Sequence, residues 1–196
     1  VIPAEERSRE FLLDVVGKIV GAMCDTQAEL KTIYPALPDV IGREVYAVTT
    51  AELEERYPEL TPKERENKVC REHGTVFIMQ IGGALPRSGK PHDGRAPDYD
   101  DWSLNGDIMI WYAPMECALE LSSMGIRVNA ESLRSQLEIS GHEERAALPF
   151  HRALLDGELP LTVGGGIGQS RLWMALLAKV HVGEVQCSVW PEDMEK

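Results

Sequence analysis

The sequence has few positive charges for its length. Its 196 residues include 20 lysines and arginines against 32 aspartates and glutamates, which gives a formal net charge of −12 at pH 7. Proteins that hold nucleic acid depend on lysine and arginine to neutralise phosphates. The charge balance therefore argues against a surface built mainly for nucleic acid, although it is compatible with a local basic patch.

Long apolar runs and paired cysteines are also missing. No run of about 18 apolar residues occurs, so no transmembrane helix is expected and no membrane partner is predicted. No two cysteines form a C-x-x-C pair, which argues against a zinc site and favours free thiols in a reducing cytosol. We therefore expect a cytoplasmic protein. The four cysteines are Cys24, Cys70, Cys117 and Cys187.

The order of the predicted elements favours an α+β fold in one domain. Capping-box patterns, a threonine followed three residues later by glutamate, begin helices at Thr49 and Thr61. Strands come in consecutive runs with helices segregated around them, so we expect a mainly antiparallel sheet flanked by helices. The predicted strands span 44–48, 75–81, 106–113, 117–126 and 159–163; the other predicted helices span 5–32, 129–139, 144–157 and the residues after 168.

A long loop at 82–103 is rich in glycine, proline and charge. A structureless stretch of this length inside a compact domain is usually functional or disordered. The loop contains Arg95, Asp98, Asp100 and Asp101, and solvation is the simplest expectation for Asp98 and Asp101.

Two carboxylates are predicted to share one face of a strand pair. A turn near Pro114 places position 109 opposite position 120, which makes Asp107 and Glu120 diagonal neighbours with Ser122 alongside. A slip of one residue would separate them. Two such carboxylates repel unless a cation lies between them, and facing a triphosphate they are a plausible Mg²⁺ site. The alternative is a pair of solvated acids on an exposed sheet face.

A glycine-rich segment, GGGIGQSR, is predicted to be a turn between the last strand and the last helix. Glycines let a ligand approach the backbone, and a helix N-terminus favours anions. Arg171 lies in the first turn of that helix, where its charge opposes the helix dipole, which suggests that it holds an anion. A turn needed only for packing is the alternative. Arg95 and Arg127 are expected around the same face, although a surface salt bridge is the simpler explanation for either one alone.

Five motifs, in order, resemble a known family. KPHDGRAPDYDDW, LNGDI, ELSSMGIRV, GGGIGQSRL and VQCSVWP are similar to segments of ammonia-dependent asparagine synthetases, the aspartate–ammonia ligases related to class II aminoacyl-tRNA synthetases. The resemblance implies the class II synthetase-like fold and a homodimer. It also implies a reaction: L-aspartate and ATP form β-aspartyl-adenylate and pyrophosphate with Mg²⁺, and ammonia then displaces AMP to give asparagine.

The resemblance further implies residue roles. Arg95 and Asp100 would hold the carboxylate and the ammonium of aspartate, with Ser122 and Ser123 in the same pocket. Arg95, Asp100 and Arg171 would be the catalytic residues. Asp107 and Glu120 would bind the metal. The residues implied to bind ATP or AMP are Asp107, Glu120, Arg127, Gly166, Gly168 and Arg171.

Two features of the family are not found. The N-terminal part with the second class II motif is missing, and the family usually has extra residues where Ser103 here meets Leu104 directly. We therefore expect residues 1–196 to be a single catalytic domain that lacks an N-terminal segment and a loop near 103–104. Two other functions stay open: the catalytic domain of an aspartyl- or asparaginyl-tRNA synthetase, and a non-catalytic paralogue that binds aspartate or AMP.

Overall fold

The protein is built on a five-stranded sheet, seen in a computed structural model that describes residues 1–189 and 191. The strands lie in chain order across the sheet. β1 and β2 are parallel and every other neighbouring pair is antiparallel, so the predicted mainly antiparallel sheet is confirmed. The strands are β1 Tyr46–Thr49, β2 Thr75–Met79, β3 Asp100–Tyr112, β4 Cys117–Arg127 and β5 Val163–Ile167.

Six α-helices surround the sheet in the described residues. The two predicted capping boxes are present, Thr49 with Glu52 and Thr61 with Glu64. Among the described residues, none of the helices combines the length and apolar character needed to cross a bilayer. The helices are α1 Arg9–Ile33, α2 Thr50–Arg56, α3 Pro62–His73, α4 Ala130–Ser140, α5 Pro149–Leu155 and α6 Gln169–Leu176; short 3-10 turns lie at Ala4–Glu6, Ala113–Met115, Glu143–Ala147 and Val182–Glu184.

The sheet has an apolar layer on each face. One face packs against α1 and α6. The other packs against α2 and α3. A smaller cluster lies under α4 and α5, at the side of the sheet where β4 ends. Side chains that make up the two layers include Leu12, Val16, Phe77, Ile108 and Met174 on the first face and Leu53, Val69, Val76, Ile78 and Met109 on the second.

Two predicted boundaries are wrong near the loop and the fifth helix. β3 begins at Asp100, so the last part of the predicted loop is strand. The helix predicted over 144–157 is broken into a 3-10 turn and α5. Leu148 takes φ −68° and ψ 148° because it precedes Pro149, whose ring disfavours a helical residue before it.

The glycine-rich segment is an edge strand and not the predicted turn. β5 consists of Val163, three successive glycines and Ile167, paired with β4, whereas the prediction ended the strand at Val163. A Cβ at Gly165 would lie 2.5 Å from the Cβ of Met124, so only glycine lets the two strands pair this closely. α6 then begins directly after Gly168.

Candidate active site

A row of paired residues crosses the sheet and defines one polar face. Ile78 on β2, Asp107 on β3, Ser123 on β4 and Gly166 on β5 are successive partners across the four strands. Residues directly opposite each other point to the same face. Near β2 this face carries Ile78 in the core beneath α2 and α3, and towards β5 it carries the predicted site residues.

A bulge in β4 changes the predicted neighbours of Asp107. Met109 pairs with Glu120, as predicted, but the register shifts between Ile108 and Met109. An extra residue in one strand moves its later side chains to the opposite face. Asp107 therefore lies opposite Ser123, while Ser122 is buried opposite the core residue Ile108. The expectation that Ser122 lies beside Asp107 is wrong.

The three arginines predicted for the site are each paired with one of the three predicted acids. Two of these ion pairs are largely buried, and the third is about half exposed. The structure thus gathers all six charged site residues in three ion pairs, and Arg95 also binds Asp93 at 2.9 Å. The pairs are Arg95 with Asp107, Arg127 with Asp100, and Arg171 with Glu120, the last at 3.3 Å.

Two of these ion pairs join a residue implied to bind aspartate to a residue implied to bind the nucleotide. Arg95 was expected to act together with Asp100, and Asp107 with the nucleotide. Instead Arg95 binds Asp107, while Asp100 binds Arg127 from the end of β4. The ends of the predicted aspartate and nucleotide sites are therefore in direct contact.

Burial raises the pKa of both central carboxyl groups. The effect of burial on the pKa of Asp107 is opposed by Arg95 and strengthened by the nearby charge of Glu120. Burial likewise raises the pKa of Asp100, against the opposing effect of Arg127. In the described part of the chain, the Oδ1 atom of Asp107 has no hydrogen-bond partner. Asp107 is thus a desolvated carboxylate with a free oxygen, suited to a cation.

The described residues contain no group of three or more histidine, cysteine or acidic side chains arranged for a metal ion. Asp107 and Glu120 lie near each other on one face, but they are only two. Mg²⁺ is commonly held by one or two carboxylates together with substrate phosphates and water. The pair therefore fits a metal that arrives with a nucleotide.

Gly125 makes room for Asp100. A Cβ at Gly125 would lie 2.8 Å from the Cγ of Asp100 and 2.8 Å from the Cβ of Asn105. Such distances are not found between real atoms in contact, so any larger residue would displace Asp100 or the backbone of β4. The space for the Asp100 carboxylate is therefore set by glycine on the neighbouring strand.

We expect Gly125→Ala to lower activity sharply by moving Asp100 away from Arg127. Gly17→Ala is the matched control, because Gly17 lies in the exposed interior of α1 and a Cβ there meets nothing within 4 Å. Alanine at that helical site should stabilise by up to about 1 kcal/mol. Turnover and thermal unfolding of both variants test this, and equal activities would show that Gly125 does not shape the site.

The long loop before β3 is anchored. The carboxylate of Glu54 accepts hydrogen bonds from the backbone amides of Arg87 (2.9 Å) and Ser88 (3.1 Å). Further along, the Nε2 atom of His92 lies 3.3 Å from a carboxylate oxygen of Glu66 on α3. These contacts hold the segment before Arg95 against α2 and α3.

The two aspartates expected to be solvated have partners instead. Asp98 accepts from Arg145 at 3.2 Å and lies 3.0 Å from the Nε2 atom of His151. Asp101 forms a buried ion pair with Arg7. These partners come from other elements, 47, 53 and 94 residues away in the chain, and no local pattern points to them. The segment on either side of Asp100 is therefore tied to two separate parts of the fold.

A model of the aspartate–ammonia ligase family matches residues 1–196. The chain belongs to the aspartate–ammonia ligase family. It is 56% identical over 194 residues to the aspartate–ammonia ligase of Lactobacillus acidophilus, covering 99% of this chain and 58% of that protein. It is also 56% identical over 196 residues to that of Limosilactobacillus reuteri, covering 100% of this chain and 58% of the relative. The chain thus spans about 58% of the length of these ligases.

Solved structures of class II aminoacyl-tRNA synthetases have the same fold. Aspartyl-tRNA synthetase from Entamoeba histolytica superposes with a TM-score of 0.59 at 17% identity, over 95% of this chain and 40% of that one. Asparaginyl-tRNA synthetase from the same organism, in complex with asparaginyl-adenylate, gives 0.57 at 15% identity, over 89% and 43%. The predicted class II synthetase-like fold is confirmed.

The two glycines predicted to bind the nucleotide, Gly166 and Gly168, lie at the end of β5 and at the start of α6. A Cβ at Gly166 would meet nothing within 4 Å, so the sheet surface is open there. Gly168 precedes α6 and donates its N–H to the carbonyl oxygen of Leu121 at 2.9 Å. Trp190, in the last of the five motifs, lies outside the described residues. The possible missing segments before Val1 and at 103–104 remain predictions.

Proposed function

We propose that the protein makes asparagine from L-aspartate, ATP and ammonia through β-aspartyl-adenylate, with release of pyrophosphate and AMP. The observation that carries this proposal is the set of three arginine–carboxylate pairs on one sheet face, in a chain that belongs to the aspartate–ammonia ligase family. Such pairs can exchange partners with a substrate that has charges of both signs.

The aspartate end of the site is proposed to lie at Arg95 and Asp100. Substrate aspartate has two carboxylates and one ammonium group. A substrate carboxylate can take the place of Asp107 on Arg95, and the ammonium group can take the place of Arg127 on Asp100. Each exchange replaces one ion pair by another and releases one protein charge. Asp107 is then available for Mg²⁺ and Arg127 for a phosphate of ATP, so neither charge is left unpaired in the loaded site. The hydroxyl of Ser123 lies on the same face and is proposed to contact the substrate. Ser122, which the resemblance placed in the same pocket, is instead buried opposite Ile108 on the other face.

The nucleotide end is proposed to lie at Arg171 and along β5. The side chain of Arg171 is 52% exposed in the first turn of α6 and is free to turn towards a phosphate. Gly166 leaves the sheet surface open to a flat group. Gly168 is proposed to line the same site beside Arg171, and Arg127 is a further nucleotide contact. Asp107 and Glu120 would hold Mg²⁺, which neutralises phosphate charge when bound.

These residues are proposed to align aspartate with ATP and to stabilise the negative charge that develops during the reaction. The β-carboxylate of aspartate attacks the α-phosphorus of ATP and pyrophosphate leaves. Arg171 holds negative charge that moves onto the leaving group, in a site where arginine is already oriented. Ammonia then attacks the acyl carbon, the bond between that carbon and the phosphate oxygen of AMP breaks, and the nitrogen gives up one proton to solvent as AMP departs. Neither step needs a protein nucleophile, so the side chains orient the two substrates and stabilise the charge that develops on the leaving group.

Pyrophosphate release with aspartate and ATP, measured with and without ammonium and followed by product analysis, tests the proposal. Asparagine and AMP formed only with ammonium support it. Aminoacylated tRNA formed in its place would indicate a tRNA synthetase, the group with the same fold. Binding of aspartate and ATP without turnover would indicate a paralogue that only senses them. Either of these two outcomes contradicts the proposal.

A homodimer and a cytoplasmic location are proposed with the activity. The dimer follows from the family resemblance, and sedimentation of the purified protein tests it. The location is supported by the cysteines, since all four are free thiols. Burial raises the pKa of the Cys70 thiol to about 12, so this thiol is unreactive and fits a structural position.

A further inference from the structure

One buried glutamine holds the backbone on both sides of Asp100. Gln136 lies on α4 and is 4% exposed. Its Nε2 atom donates to the carbonyl oxygens of Pro97 at 2.9 Å and of Asp100 at 3.0 Å. Its Oε1 atom accepts from the backbone amide of Trp102 at 2.8 Å. Both N–H groups and the oxygen of one side-chain amide are therefore used by a single short segment.

The sheet itself does not hold this segment in a regular way. Asp100 pairs with Arg127 and Asn105 pairs with Gly125, with a register irregularity between them. Backbone groups in such an interruption lose their ladder partners, and a buried group without a partner is costly. Gln136 supplies a partner to the Trp102 amide and to two carbonyls nearby. Its hydrogen bonds to the Asp100 carbonyl and the Trp102 amide lie at this interruption, and its hydrogen bond to the Pro97 carbonyl holds the chain just before β3.

The contacts of Gln136 are confined to the aspartate end of the proposed site. None of its recorded hydrogen bonds reaches Asp107, Glu120 or Arg171. A change at Gln136 therefore acts first on the position of Asp100, and it reaches the proposed nucleotide contacts only indirectly, through Arg127, the partner of Asp100.

We propose that Gln136 is a positioning residue for aspartate, which sets Asp100 where the substrate ammonium group binds. The proposal rests on the proposed function, because it assumes that Asp100 receives this group. Gln136 contacts the backbone of residues 97–102 and does not contact the substrate, so its effect on substrate binding is transmitted through Asp100.

Gln27 offers a matched control. Gln27 is also buried, and its side-chain amide also bonds three backbone groups of a loop. Its Oε1 atom accepts from the amides of Val40 at 2.8 Å and Ile41 at 3.0 Å, and its Nε2 atom donates to the Ile41 carbonyl at 3.3 Å. It lies on α1, which packs on the opposite face of the sheet from the site. Gln27→Met and Gln136→Met therefore remove similar hydrogen bonds in two different places.

Steady-state kinetics of the full chain, with aspartate and ATP varied separately, test the proposal beside thermal unfolding. Both methionine variants should lower the unfolding temperature by similar amounts. Gln136→Met should raise the KM for aspartate about tenfold or more, as expected for a displaced binding group, and the KM for ATP less than about threefold. Gln27→Met should change neither KM. Gln136→Glu, which keeps the acceptor but loses both donors, should raise the KM for aspartate in the same way and serves if the methionine variant does not fold.

The outcomes separate this proposal from the proposed function. Asparagine formation by the wild type with an unchanged KM for aspartate in the Gln136 variants overturns the positioning role alone. A parallel rise in both KM values, or an equal rise in Gln27→Met, also overturns it, since a general loss of structure would produce that result. A wild type that makes no asparagine overturns the proposed function and this proposal with it.

Discussion

Asp107→Asn is expected to abolish asparagine formation at neutral pH without lowering thermal stability. Asparagine has the shape of aspartate but cannot carry the charge that holds a metal or pairs with Arg95. Under the proposed function Asp107 holds Mg²⁺ against the reacting phosphates, so its loss should reduce turnover by at least about a hundredfold. Turnover at saturating Mg²⁺ and ATP measures the loss.

The stability half of this prediction follows from the pKa of Asp107. Burial raises that pKa in the folded protein, although Arg95 opposes the effect. A carboxyl group with a raised folded pKa contributes stability that is fully present below its ordinary pKa of about 3.9 and is lost as the pH rises through the folded pKa. At neutral pH the ionised group is therefore a net cost that asparagine removes. Asp107→Asn should be at least as stable as the wild type at pH 7, and the difference should shrink as the pH approaches 4.

Asp14→Asn is the control for both halves. Asp14 is 55% exposed on α1 and its ion pair with Lys18 lies in solvent. This variant should keep full activity, and its unfolding temperature should follow that of the wild type at every pH. A marked loss of stability in Asp107→Asn at pH 7 would mean that the ion pair with Arg95 outweighs the burial of Asp107, and the pH argument would fail.

Local sequence patterns predicted the elements well because their causes are local. A capping box needs only two residues three positions apart, and both boxes formed as expected. The pairing of Met109 with Glu120 followed from a turn near Pro114. The sequence did not predict the bulge between Ile108 and Met109. An alternating pattern of apolar and polar residues does not indicate where an extra residue enters a strand.

The partners of the site residues depend on distant parts of the chain. The sequence predicted that three arginines and several acids would gather on one face, but not which acid each arginine would bind. Asp98 and Asp101 show the same limit, since their partners Arg145 and Arg7 come from the residues after α4 and before α1. Charge alone suggested solvation, whereas the fold provides a partner for each.

The glycine-rich segment was misassigned for a different reason. Glycine is the usual residue of turns, so its frequency in GGGIG predicts a turn. The actual requirement is close approach, since the backbone at Gly165 leaves no space for a Cβ beside Met124. Both causes select glycine, so the sequence alone does not distinguish them. The distinction matters for function, because a strand presents Gly166 on the same sheet face as Asp107 and Ser123.

Arg171→Ala is expected to abolish activity while leaving the fold intact. The side chain is 52% exposed, and its polar partners among the described residues are the carboxylate of Glu120 at 3.3 Å and the carbonyl oxygen of Glu120 at 3.4 Å. Exposed ion pairs of this kind contribute about 0–1 kcal/mol. Arg171 therefore contributes little to stability, and its positive charge at the start of α6 is unfavourable to the helix dipole. Binding of an anion best explains an arginine at this position. We expect a loss of at least about a hundredfold in turnover.

Two further variants make the interpretation specific to Arg171. Arg134→Ala removes an exposed arginine from α4 and should retain full activity and stability. Arg171→Lys keeps the charge but loses the planar pair of donors that matches a phosphate, so it should recover only part of the turnover. Near-normal turnover in Arg171→Ala would remove this residue from the ATP site. Loss of both turnover and folded structure would instead mean that the contact with Glu120 holds α6 on the sheet, and Arg171 would then have a structural function.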